Sequence, residues 1–529
     1  MSDSKKQTFL HGTALLALST AIVKLIGAFY SIPLKAIIGD VAFGYYSTAY
    51  EIYTLLLMVS TAGLPVAMSR MISQASSLEK YRQVRKIYAT SRTIFLMLGL
   101  LGTALMMVFC RQLAAFQRQP DAWITILALG PACLLICLMS TYRGFFQGQS
   151  NMKPTSVSQV LEAAVKLVCG LSFAIAILAY FSNHGYAAGG AIFGVTMSCL
   201  VSTFYLSHCF RKNYRDLPAG ADTPDSGKTV AKNLLAIAIP ITIGSVGLHI
   251  LTVLETRVYM SQLLGFMSQS SADLQKGIYN FIQKIFNMPC AFITPITISV
   301  IPAITAQITT GDHKGAKVTE ESAVRVTALI SMPCAVGLAA LAEPVTALLG
   351  GYTGENLVLA TNLMRILGIC IVFNAMVLLT NAIMQAHGHV NLPVVNMFIG
   401  GFLKLATIAI LTGNRHIGIL GTPLGSLLCY FSITVLNIIT VRRVLPEAPA
   451  ILKNMLRGAL AAIIMGIFTF ASWYGMKYLG ISSRVILCGG PIAVGALVYI
   501  IAAIKFKAIT REDCLLLPKG QKIADLLHL

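Results

Sequence analysis

Polar and apolar positions segregate along this chain into long blocks. Apolar runs occupy residues 12–35, 43–70, 90–110, 122–144, 156–180 and 187–210. They resume at 233–263, 278–307, 323–350, 357–386, 391–413, 417–440, 455–478 and 484–506. A helix rises about 1.5 Å per residue, so about 20 apolar residues cross a hydrocarbon core of about 30 Å. Inside hydrocarbon every backbone N–H and C=O needs a partner within the protein, and a helix supplies one locally. The pattern therefore predicts an all-α polytopic membrane protein with about fourteen transmembrane helices. Tight hairpins are expected near residues 40, 184, 388 and 415.

The 529 residues are 56% hydrophobic and 11% charged, against about 25% charged in soluble domains. Lys5, Lys6, the 70–92 cluster, Arg143, Lys153 and the 211–232 loop fall on one side of the predicted spans. Lys314, Lys317, Arg325, Arg442, Arg443, Lys453, Arg457 and the C-terminal tail fall on the same side. Basic loops mark the cytosolic face, so both termini are expected there. The net charge of +20 is read as topology, and no nucleic-acid partner is expected. The first run lacks a small-residue cleavage site and reads as a retained helix. The 12 cysteines are scattered, mostly in apolar runs, with no CxxC or Cys/His spacing; they read as small buried hydrophobes. His387 and His389 in QAHGHV have no acidic partner nearby in sequence, and no metal site is expected.

The linker RKNYRDLPAGADTPDSGKTVAK, residues 211–232, is the longest polar break between predicted helices. Similar features recur on either side of it. Pro65 in LPVAMSR and Pro302 in IPAITAQ are 237 residues apart, and Gln147 and Gln385 are 238 apart. The second offset places Lys166 on Lys404. Gly44–Tyr46 against Gly277–Tyr279 gives an offset of 233, which places Lys24 on Arg257. Six helices per copy leave both copies in the same orientation, with a pseudo-axis along the membrane normal. The expected organisation is a first lobe at 1–210, a cytosolic linker at 211–232 and a second lobe at 233–443. Residues 444–529 add two helices and a cytosolic tail.

Lys24 lies near the middle of the first run, where a charge costs roughly 2.5–3.5 kcal/mol on insertion scales. Pro33, further along that run, removes a helix hydrogen bond. Pro33, Pro65 and Pro302 are the expected hinge positions. Lys24, Arg257 and Lys404 sit deep in their runs with no carboxylate one helical turn away. They are the leading candidates for a water-filled cationic cavity, which would attract phosphate groups. Lys166 follows Glu162 at i, i+4, the favourable order for a helix ion pair. Glu51, Glu162 and Glu255 are the candidates for ion pairing or ion coupling. Tyr45, Tyr46, Tyr50 and Tyr53 read as an interfacial aromatic belt or as a wall on which a sugar stacks.

KKQTFLHGTALL, IGAFYSIPLKAIIGDVAFGYYSTAYEIY, GLPVAMSRMIS and YRGFFQGQSNMKPTSVSQVLE resemble the polysaccharide transporter family that includes stage V sporulation protein B. That family is related to the MurJ lipid II flippases within the MATE-like superfamily. The resemblance spans essentially all fourteen runs. It implies two six-helix lobes, two added C-terminal helices associated with a lipid-tail groove, and a central cavity open alternately to either side. It places Lys24 and Arg257 as counterparts of the basic residues that meet a lipid diphosphate. The position after IGAFY, often basic in relatives, is Ser31 here, with Lys35 one turn on. Lys35 and Lys166 complete the expected cationic set.

The expected function is a flippase carrying an undecaprenyl-diphosphate-linked saccharide, such as lipid II, to the outer leaflet of a bacterial cytoplasmic membrane. It would act as a monomer among membrane lipids, without a cofactor, and any coupling ion would be H+ or Na+. No GxxxxGK[ST] motif is present. The chief alternative is a MATE-type multidrug antiporter, which would use carboxylates such as Glu51, Glu162 and Glu255. A membrane glycosyltransferase would want a large outer loop with catalytic carboxylates, and every predicted outer loop is short. A scaffold that only recruits cell-wall or spore-coat enzymes is the remaining reading.

Overall fold

The computed structural model describes residues 3–445, 447–506 and 508. Within its helices, the side chains of residues 3–18, 21, 24, 28, 59, 60, 244, 248, 295, 296, 298 and 299 lie outside that description. The described chain is all-α. Its helices are α1 (Asp3–Thr61), α2 (Leu64–Ser77), α3 (Tyr81–Val108), α4 (Cys110–Phe116), α5 (Trp123–Gly148), α6 (Lys153–Phe181), α7 (His184–Arg215) and α8 (Gly227–Leu263). There follow α9 (Gln269–Thr309), α10 (His313–Ala340), α11 (Ala342–Leu349), α12 (Gly354–Ala386), α13 (Asn391–Thr412), α14 (Gly421–Val444), α15 (Ile451–Tyr478) and α16 (Arg484–Lys505).

Among the described residues, twelve helical stretches are long and apolar enough to cross a membrane. One of them, Leu25–Met58, contains two arms. Tyr30 and Tyr46 would stand about 24 Å apart on a straight helix, yet their ring centroids are 6.3 Å apart. The chain therefore reverses between them, and it does so at Gly39 (φ 76°, ψ 173°), a conformation open to glycine because it lacks a Cβ. The hairpin expected near residue 40 is made by this one residue rather than by a loop. With α1 counted as two arms and α9 covering the run at 278–307, helices occupy all fourteen predicted runs.

Pro65 differs from expectation. It was placed near the end of the second membrane helix, but that helix stops at Thr61, and Pro65 lies in the first turn of α2. A first-turn proline forfeits no intrahelical bond, so the break falls just before it. Pro33 lies inside α1, and Pro302 lies within the range of α9.

The chain divides into two compact units, residues 1–280 and 281–529. In the first, α7 packs on α5 and α6, α3 packs on α5, and α1 packs on α5, α6, α7 and α8. The loop between α7 and α8 is tied down. The Asp222 carboxylate accepts from the backbone N–H groups of Arg82 (2.9 Å) and Gln83 (2.8 Å), filling the cap that α3 lacks locally. Gln83 and Asp225 exchange a pair of 2.7 Å bonds, and Arg85 donates to the Leu217 carbonyl at 2.9 Å. Desolvation works against ionisation of Asp222, but the backbone amides of Arg82, Gln83 and Asp222 itself, with the Arg82 charge, together outweigh it and hold its carboxyl below the ordinary aspartate range.

In the second unit α10 packs on α12 and α15, α13 on α14, and α15 on α16. Val300, Ile304, Val324, Leu379, Ile383 and Val441 build one buried apolar cluster. A carboxamide ladder crosses the helices beside it. Asn437 donates to Thr380 and Asn381, both at 2.8 Å, and accepts from Asn396 at 2.9 Å. Such interhelical bonds replace the hydrophobic drive that lipid cannot give.

Candidate membrane cavity and the basic residues around it

Three helices of the first unit present polar residues at helical spacing to one space. On α5 these are Ser140, Arg143 and Gln147, and on α6 Gln159, Glu162 and Lys166; Tyr30 and Tyr50 face them from the two arms of α1. Residues three and four apart share a helix face, so each helix contributes one polar stripe. The cavity is partly open and measures about 800 Å³, with Leu57, Met58, Pro65 and Val66 along its apolar wall.

Its charges are arranged differently from the sequence expectation. Glu162 does not pair with Lys166 one turn on. Its carboxylate accepts from Arg143 Nη2 at 2.9 Å, and Arg143 Nε donates to Ser158 at 3.1 Å. Lys166 instead donates to the Tyr50 hydroxyl at 3.1 Å. Its ammonium stands over two rings, 4.6 Å from the Tyr50 centroid and 5.4 Å from that of Tyr30, a cation–π arrangement. The wall thus carries one internally neutralised pair and one cation held by neutral aromatic groups.

The tyrosines form no lipid-facing belt. Tyr45, Tyr46 and Tyr53 are buried, and Tyr46 stacks on Tyr50 at 5.8 Å. Tyr50 reaches the cavity while its neighbours in the ladder support it. Arg143 was counted with the basic residues of the cytosolic side because it sits at the end of the predicted run 122–144, whereas α5 continues to Gly148 and keeps it within the helix. The 3–4 spacing of Ser140, Arg143 and Gln147 was the available signal.

Of the other basic candidates, Lys35 is paired with Asp40 at 3.3 Å. Arg257 donates to the Phe116 carbonyl at 2.6 Å and stacks 4.3 Å from the Phe116 ring centroid. The side chain of Lys24 lies outside the described residues. Lys404 lies on α13 in the second unit, half-buried. Among the acidic candidates, Glu51 accepts from Thr256 at 2.8 Å, and Glu255 is buried.

A second polar cluster joins α1, the α4–α5 corner and the start of α9. Asp273 accepts from Gln119 Nε2 (2.9 Å), Gln269 Nε2 (3.0 Å) and the Tyr45 hydroxyl (3.2 Å). Lys276, fully buried, donates to Thr48, which donates to the side-chain Oε1 of Gln119. The sequence reading omitted Asp273 and Lys276 because both precede the apolar run at 278–307. Their neighbour Gly277 had already been marked by the repeat. A Cβ at Gly277 would lie 1.8 Å from the Asp40 carbonyl, and one at Gly44 would lie 3.5 Å from the Gly277 nitrogen. The two GxY motifs matched by sequence therefore meet face to face.

Residues 9–307 match the family described as polysaccharide biosynthesis protein. The chain belongs to that family. Residues 258–410 also match the MatE family. Stage V sporulation protein B of Bacillus subtilis (strain 168) is 26% identical over 525 residues, covering 97% of this chain and 98% of the relative. Lipid II flippase MurJ of the same organism is 25% identical over 412 residues, 75% of this chain and 76% of the relative. Among solved structures, lipid II flippase MurJ in an inward closed conformation superposes with TM-score 0.68 at 15% identity, covering 93% of this chain and 98% of that one. An inward-facing MATE multidrug transporter gives 0.62 at 14% identity, with coverage of 80% and 97%. The fold is thus that of the MurJ and MATE transporters. The chain is a multi-pass membrane protein of the flippase and transporter type.

Proposed function

We propose that the protein moves an undecaprenyl-diphosphate-linked saccharide, lipid II or a related wall precursor, from the inner to the outer leaflet of the bacterial cytoplasmic membrane. The observation that carries this is the cavity wall at Lys166. An ammonium held by two tyrosine rings and a hydroxyl rather than by a carboxylate is placed to meet an anion, and aromatic faces with Gln147 and Gln159 beside it suit a saccharide. Similarity to MurJ supports the substrate class. Residues 1–210 and 233–443 are taken as the two lobes that alternate access, with Lys24, Arg257 and Lys404 adding positive potential and Lys35 held by Asp40. Pro33, Pro65 and Pro302 serve as bending points. Both termini are placed in the cytosol, and the protein works as a monomer.

Transport outward would run with the membrane potential. One charge crossing 100 mV is worth about 2.3 kcal/mol, so a diphosphate of about −2 gains roughly 4–5 kcal/mol on leaving an inside-negative cell. H+ or Na+ coupling through Glu51 or Glu255 would add to that. The MATE-type antiporter reading requires a carboxylate free to exchange cations, and the Arg143–Glu162 ion pair weighs against Glu162 in that role. The test is complementation of a strain depleted of its lipid II flippase. The wild-type chain should restore growth and Lys166→Ala should not; rescue by Lys166→Ala at normal protein levels would refute the cavity assignment.

A further inference from the structure

The histidine motif QAHGHV has no acidic neighbour in the sequence, and the fold supplies one from another helix. His387 directly follows α12. Its backbone N–H bonds to the Ile383 carbonyl at 3.2 Å, and Gly388, with φ 83°, turns the chain toward α13. His387 Nε2 lies 2.7 Å from Glu320 Oε1 on α10. The Glu320 side chain is 1% accessible and that of His387 11%. Thr305 of α9 donates to the neighbouring Ala386 carbonyl at 3.3 Å. Two side-chain bonds thus fasten the α12–α13 corner, and one of them runs between titratable groups.

That bond carries one shared proton. Glu320 Oε2 is buried and has no hydrogen-bond partner among the described residues, a costly setting for an ionised carboxylate. Burial, with His389 and His313 nearby, keeps the His387 imidazole below the ordinary histidine range. A carboxylic acid donating to a neutral imidazole satisfies both groups without a net charge. A second proton, on Nε2, removes the acceptor. The imidazolium can then bond Oε1 only if the carboxyl moves its own proton to Oε2, where the O–H has no acceptor.

We propose that Glu320 and His387 form a proton switch: one shared proton holds the α12–α13 corner on α10, and a second releases it. The surrounding charges set where it acts. On α10, Glu321 accepts from the Ala450 N–H at 3.1 Å and favours added positive charge, while Lys314 and Lys317 oppose it. α9 has no charged residue from 285 to 311, and α13 has none before Lys404. α14 and α15 bring Arg442, Arg443, Lys453 and Arg457 beside Val441 and Ile451, which share a buried cluster with Ala316 and Ala386; Glu447 lies between those two helices. α16, whose Tyr499 donates to the Leu329 carbonyl at 2.8 Å, ends at Lys505. Basic groups outnumber acidic ones, so release falls on the acid side of neutrality. The released histidine binds a proton near pH 6.5 and the closed one only below that, so the closed corner loses stability as pH falls from about 6.5. The switch rests on contacts within the second unit alone; that its protons come from the cytosol rests on the orientation proposed above.

The test is hydrogen exchange in the full-length protein in detergent, read at residues 387–390 from about pH 7.5 to about 5.5 and corrected for intrinsic rates. Protection in the wild type should fall about tenfold or more on acidification. His387→Gln keeps an acceptor for Glu320 but cannot take the second proton, and it should stay protected throughout. Glu320→Leu should be poorly protected at both ends of the range. His313→Gln and His389→Gln should keep the loss, moved to higher pH because a nearby positive charge is gone. Flat protection in the wild type overturns the switch, as does a pH response in His387→Gln equal to that of the wild type. None of these readouts involves the substrate. Lipid transfer lost at acid pH on the cytosolic side in the wild type but kept in His387→Gln extends the switch to transport, and equal responses of the two remove that role.

Discussion

Replacing Arg143 by Met exposes what Glu162 is for. The pair is 2.9 Å apart, with 16% and 26% of the two side chains accessible. At an effective dielectric constant near 20 the gross attraction is about 6 kcal/mol. Desolvation offsets much of this, leaving a net coupling of about 1–3 kcal/mol for a charge-assisted bond of this burial. Arg143→Met leaves Glu162 without its counter-charge, and Glu162→Gln strands Arg143 in turn; each should cost about 1–2 kcal/mol. The double variant should recover most of the loss, since a neutral pair of similar shape leaves no charge uncompensated. Unfolding in mixed detergent micelles, run on all four proteins, gives the interaction energy directly. Additive losses, with a coupling below about 0.5 kcal/mol, would refute the assignment of Glu162 as an internally neutralised carboxylate. They would also return it to the set available for ion coupling.

Gly277→Ala should destabilise the protein severely, because the new methyl would meet the Asp40 carbonyl at 1.8 Å; overpacking of this kind costs about 1–3 kcal/mol or more. Wild-type thermal stability for this variant would contradict the close approach of the two GxY motifs. Lys166→Ala should reduce lipid transfer about tenfold or more while Lys166→Arg retains part of it, since Arg also stacks on tyrosine; equal rates in all three would remove Lys166 from the substrate path. The linker at Asp222 should be sensitive to acid. Its folded-state pKa is depressed, so its stabilisation is present above the ordinary aspartate value near 4 and is lost as pH falls through the folded value. Hydrogen exchange at Arg82 and Gln83, corrected for intrinsic rates, should lose protection there in the wild type and should already be fast at neutral pH in Asp222→Ala. A pH-independent protection pattern would dissociate Asp222 from the docking of this loop.

Helix number and order were legible because the bilayer imposes a length on each apolar run and leaves the backbone one local way to satisfy itself. The boundaries were less so. Gly39 reverses the chain inside a continuous helical stretch, with Lys35 and Asp40 the charged residues near it, so hydropathy alone could mark the turn only loosely. Pro65 was assigned to the wrong side of a helix break because one apolar run covers both helices. The cavity was partly legible: Lys166 and Glu162 were singled out, but their partners come from helices distant in sequence. An i, i+4 rule describes an isolated helix and loses to Arg143 and Tyr50 when three helices converge. Gln119, Asp273 and Lys276 escaped notice because they sit at run ends, where polar residues look like solvated loop. Their burial follows from packing of one sequence half on the other, which the GxY repeat marked without showing what it would enclose.

The central claim is best tested with purified protein in liposomes containing lipid II in the inner leaflet, with an outer-leaflet probe and an imposed potential. Wild-type protein should carry lipid II outward when the outside is positive, slow sharply when the potential is collapsed, and nearly stop with Lys166→Ala. Transfer no faster than in protein-free liposomes under any potential would contradict the flippase account.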